Sequence, residues 1–164
     1  MKKILLAVVF LIATTSMGKL FAQVAEDDIQ IIQGAWGKQK RELVSIAMDL
    51  TAADSAKFWP VYYKYEESRK KLGRERILIL DDYVRSYENL TTAKADQLVA
   101  KLFKNDAAIA VLTQQGYANV KKALNALQAA KFLHVESFLQ SWVKIHLQAN
   151  LPYIGELEGM RATK

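Results

Sequence analysis

Cysteine is absent from this chain of 164 residues. Its absence excludes a disulfide framework, a thiolate nucleophile, a thiolate metal ligand and a lipobox thiol able to carry a lipid. Histidine is scarce, with only His134 and His146 present. These two lie about 18 Å apart along one helix and about 120° apart around it, so they cannot share an ion within one chain. His146, placed on an apolar stripe, reads as a hydrogen-bonded core residue, and His134 as an interface or surface residue. Beside them, Met48 and Met160 are the remaining non-carboxylate candidates, so neither a metal nor a cofactor is expected. GxSxG, HExxH and a phosphate-cradling glycine loop are also missing. The adjacent carboxylates Asp81 and Asp82 face different directions on a helix, and no enzyme activity is expected.

Proline and glycine are also few, at two and seven, and no alternating apolar pattern or glycine-rich hairpin turn occurs. Ala, Leu, Lys, Gln and Glu dominate, which predicts an all-α fold. The long apolar run present is at the start, "MKKILLAVVFLIATTSMGKLFAQVAEDD". There Lys2 and Lys3 precede an apolar core, with small and polar residues after it, the order of a secretory signal peptide. That core is too short to span a bilayer comfortably, and Lys19 interrupts it. The expectation is a signal peptide over 1–23, cleaved between 22 and 25, and a periplasmic protein with no stable membrane insertion. Residues 24–164 then form a single helical domain with 152–164 as a disordered tail. Removing 1–23 takes away Lys2, Lys3 and Lys19 and no acid, which lowers the net charge from +6 to +3. So mild a charge does not point to nucleic acid. A domain of this size gains buried apolar surface by pairing, so a homodimer is expected.

Apolar periodicity predicts four amphipathic helices. The first covers 27–50 and places Ile29, Ile32, Trp36, Leu43, Ala47 and Leu50 on one side, with Lys38, Gln39 and Arg41 elsewhere. The second starts at "LTAAD", where Thr51 is the N-cap and Asp54 favours the positive end of the helix dipole, and runs to about residue 89. Phe58, Val61, Tyr62, Tyr65, Leu72, Ile79, Leu80, Tyr83 and Tyr87 cluster on its inward face. Pro60 lies inside it, where removing a backbone donor and crowding the Ala56 carbonyl costs about 3 kcal/mol in a straight helix. Trp59 is a poor N-cap, so a kink that curves one long helix is preferred to a break. The third helix starts near "LTTAK" and carries Leu98, Leu102, Leu112, Gly116 and Val120, with Asn105 and Asp106 marking a wet stretch or a polar contact. The fourth starts at "LNALQ", where Asn125 and Gln128 form a capping box, and ends before Pro152. Phe132, Leu139, Trp142 and Val143 form its stripe, and Phe138 with Ile145 broadens it enough to need two neighbours.

The segments "LTAADSAKFW" and "LNALQAAKFL" share Leu, Ala, Ala, Lys and Phe in the same order. On these residues the chain resembles the Spy/CpxP family of periplasmic proteins, which carry two LTxxQ motifs separated by long helices. Leu50, Thr51 and Asp54 form the first motif, with Asp for Gln; Leu124, Asn125 and Gln128 form the second, with Asn for Thr. The resemblance covers roughly residues 27–151. It implies four long helices forming a curved, cradle-like hairpin assembly, usually dimeric. It also implies ATP-independent binding of unfolded or aggregation-prone proteins, or a role as an envelope-stress adaptor. A sensory or anti-sigma-type partner of one membrane signalling protein is the alternative, and a metal-responsive relative is disfavoured by the ligand count.

For such clients the candidate contacts are Trp59 and Tyr63, which stand about 100° or more from the inward stripe, and the basic residues Arg69, Arg74 and Arg76 of "RKKLGRER". Coverage of the two rings by a helix or second subunit, and simple solvation of the basic face, are the competing readings.

Overall fold

The computed structural model describes Gly37, residues 39–149 and Leu151. The expected signal peptide with its cleavage site, the first half of the first helix and the tail over 152–164 lie outside the described residues.

Four helices follow one another with no strand among the described residues, so the fold is all-α. They are α1 (39–48), α2 (Ala52–Ser86), α3 (Thr92–Ala123) and α4 (Ala126–Ala149), with a short 3-10 turn, Tyr87–Asn89, between α2 and α3. Helix α2, of 35 residues, is about 52 Å long at 1.5 Å per residue. It forms an antiparallel hairpin with α3, and α4 folds back along the same hairpin.

Each long helix begins where side-chain capping predicts. Thr51 Oγ1 accepts from the Asp54 N–H at 3.2 Å and Thr91 Oγ1 from the Lys94 N–H at 3.2 Å. Asn125 Oδ1 accepts from the Gln128 N–H at 2.9 Å. Each bond satisfies a donor that the first turn leaves orphaned. The box expected at Asn125 is only half formed, because the buried Gln128 Oε1 has no hydrogen-bond partner. Helix α2 then passes through Pro60 without a break. Pro60 and Ala56 are both exposed, so the carbonyl that loses its donor faces solvent.

The core joins Phe58, Tyr62 and Tyr65 of α2 to Val120 of α3, Phe132 and Leu139 of α4, and Val44 and Met48 of α1. Helix α3 reaches these rings through Gly116. A Cβ there would come within 2.8 Å of the Tyr65 ring and 3.2 Å of the Phe132 ring. Asn105 makes a polar contact, its Nδ2 donating to the Leu72 carbonyl at 3.0 Å, and the neighbouring Asp106 pairs with Arg76.

Two expectations are corrected. Helix α1 does not bury its Leu43 side: Lys40, Val44 and Met48 point inward, while Leu43 and Ile46 are exposed and Leu50, past the helix end, packs against the core as expected. The face is turned because the Lys40 ammonium finds carboxylates inside the bundle. Nor is His146 a core residue. It is exposed, with Nδ1 at 2.8 Å from the Trp142 carbonyl and its ring 3.8 Å from that of Trp142. A hydrogen bond within one helical turn and a stacked indole satisfy the imidazole without burial.

Candidate functional site

Helix α2 places five aromatic rings in one span of two turns, and neighbours three and four residues apart stack on the helix surface. Trp59 and Tyr63 stack with centroids 5.7 Å apart, and Trp59 meets Phe58 edge-on at 5.2 Å. Phe58 belongs to the core, Trp59 is half-buried against it and Tyr63 is exposed. The ladder therefore runs from the interior to the surface. Arg41 of α1 lies over its outer end, its guanidinium 5.4 Å from the Trp59 centroid and 5.7 Å from that of Tyr63. A cation over two ring faces adds attraction and leaves the ring edges open.

The basic residues further along α2 are dispersed. Arg74 is exposed, Arg69 is half-buried with its Nε enclosed and unbonded, and Arg76 turns inward to Asp106. Trp59 and Tyr63 are thus brought together, and the three arginines are not gathered into one patch. The motif residues Leu50 and Leu124 pack against the core from the loops that precede α2 and α4, while Thr51, Asp54, Asn125 and Gln128 build the helix starts.

Beneath the ladder lies a cluster that the pattern of apolar residues did not reveal. Lys40 is 4% exposed and Glu136 is fully buried. The Lys40 ammonium lies 2.6 Å from Glu66 Oε2 and 3.0 Å from Glu136 Oε2. Tyr65 donates to Glu136 Oε2 at 2.9 Å and Tyr62 to Glu136 Oε1 at 3.4 Å. Gln140 Nε2 donates to the Tyr65 hydroxyl oxygen at 3.1 Å. Each ring also presents its face to Lys40, 5.8 Å from either centroid. Burial and then the negative charge of Glu136 hold both phenols well above the ordinary tyrosine value, so they remain hydrogen-bond donors at any physiological pH. This arrangement fixes α1, α2 and α4 to one another. The available signal was positional: Glu136 falls one turn after Phe132 on the apolar stripe, and Lys40 one turn before Val44.

Among the described residues, no group of three or more His, Cys, Asp or Glu is placed to hold a metal, and no helix is long and apolar enough to cross a membrane. Large apolar side chains nevertheless reach the surface of α3 and α4: Phe103 is 70% exposed, Phe138 65% and Ile145 64%. Leu127, Phe138 and Ile145, spaced by three turns and then two, share one face of α4. No protein-family model, curated protein or solved structure matches the chain.

Proposed function

We propose that this protein is an exported, ATP-independent chaperone-like protein of the Spy/CpxP type, which holds unfolded or aggregation-prone chains on its helical surface. The observation that carries this reading is the exposure of large apolar side chains on long, well-capped helices, with Phe103, Phe138, Ile145 and Tyr63 accessible on a molecule rich in surface lysine and arginine. Rings and aliphatic groups spread along a rod offer many weak apolar contacts to a client without requiring a fixed sequence. Surface cations such as Lys57, Lys64 and Arg74 add long-range attraction for acidic clients, an effect that salt weakens. Pairing of two copies belongs to the same proposal.

Aggregation assays with several unrelated unfolded proteins test it. Near-stoichiometric amounts are expected to suppress aggregation of each client, and the Phe103→Ser, Phe138→Ser double variant to lose most of that protection while keeping its helical content. A dedicated partner of one signalling protein would leave every such client unprotected.

A further inference from the structure

Beyond the described residues of α1, helices α2, α3 and α4 leave a groove of about 220 Å³ between them. Ile79 and Leu80 on α2, Leu98 and Leu102 on α3 and Leu147 on α4 form its wall. Among the described residues no carboxylate lines it, and the charged groups at its edge are Arg76 and Lys144. Arg76 is engaged by Asp106, whereas Lys144 has no ion-pair partner among the described residues. The groove is thus mainly apolar, with Tyr83 and Gln148 as neutral polar members of its lining and only cations among its charged ones.

We propose that this groove is a binding site for a single fatty acid, with the hydrocarbon chain lying against Leu98, Leu102 and Leu147 and the carboxylate at the Lys144 ammonium. Charge selects the occupant: the described lining is mainly apolar, holds no carboxylate and offers Lys144 as a cation without an ion-pair partner among the described residues, which suits a hydrocarbon chain that ends in one carboxylate. Burying its methylenes supplies the affinity, while the ion pair at the rim sets its direction and rejects cationic amphiphiles.

Calorimetric titration of the protein with octanoate, decanoate and dodecanoate below their micelle concentrations tests this. One molecule is expected to bind per chain, about fourfold more tightly for each methylene added until the chain outgrows the groove. Dodecyltrimethylammonium is expected to bind at least about tenfold more weakly than dodecanoate, and Lys144→Glu to remove that preference. Leu102→Trp and, independently, Leu147→Trp fill the groove and are expected to abolish binding while circular dichroism shows the helices intact. The assignment is overturned if dodecanoate does not bind or if both head groups bind equally. It is also overturned if either folded groove-filling variant binds as the parent does, since the site would then lie elsewhere, as on the exposed face of α4. None of these readouts depends on client protection, so this site and the chaperone proposal stand or fall separately.

Discussion

The two ends of the helical bundle solve the same packing problem differently. Where α1 is docked, the space between α2 and α4 is filled by aromatic rings: Phe132 meets Tyr65 edge-on at 5.2 Å and Phe58 at 6.3 Å, with the Lys40 and Glu136 cluster inserted among them. At the opposite end, aliphatic residues such as Ile79, Leu98 and Leu147 face one another across an open groove. Large flat groups with polar tips close a three-helix gap and leave their hydroxyls to be satisfied inside it. Shorter branched groups leave room. One end therefore has its directional contacts buried among the rings, whereas at the other they lie around an apolar groove, as in the Arg76–Asp106 and Lys94–Asp82 pairs.

Removing one partner of the buried cluster should have the largest effect. Glu136→Leu leaves Lys40 with Glu66 alone and deprives two phenols of their acceptor, an expected loss of about 3–5 kcal/mol in urea unfolding. Adding Lys40→Met to that variant should recover little of the loss, because Lys40 keeps its 2.6 Å pair with Glu66 and the two phenols still lack their acceptor. Truncation of one side chain at each end measures the packing contrast directly. Phe132→Ala, in the filled end, should cost about 3–5 kcal/mol, and Leu98→Ala, beside the groove, about 2 kcal/mol, because space there is already open.

The smallest effect concerns alkaline pH. The phenols of Tyr62 and Tyr65 lie above their ordinary value of 10.0 through burial and the charge of Glu136. As pH rises through 10 the unfolded chain releases these protons and the native chain keeps them, so the unfolded state gains and stability falls. Below that pH the two states are protonated alike, and these residues add no pH dependence. Tyr65→Phe should cost about 1–2 kcal/mol at neutral pH through its lost bond to Glu136, and should make the alkaline decline shallower.

The same division decides what could be read from the chain alone. The three long helices were legible because their starts carry local chemistry, Thr51, Thr91 and Asn125, that acts within one turn. The inward positions Phe58, Tyr62, Tyr65, Leu98, Val120 and Phe132 follow from periodicity and are buried as that periodicity requires. Lys40 and Glu136 were not legible, because a charged side chain is assigned to solvent unless its partner is known, and these partners are 96 residues apart. That single omission also turned α1 to the wrong face. Among the client candidates, the neighbourhood of Trp59 and Tyr63 follows from helical spacing, but Arg41 above them comes from another helix and Arg76 is drawn inward by Asp106, both long-range facts.

Gly116 has a consequence for how this chain can vary. Adding one methyl there would press on rings from two different helices at once, so neither ring could yield without disturbing the other. The position is a choke point through which three helices pass. Drift in the surrounding surface can be absorbed locally, whereas enlargement at this site would have to be matched by smaller groups at both Tyr65 and Phe132.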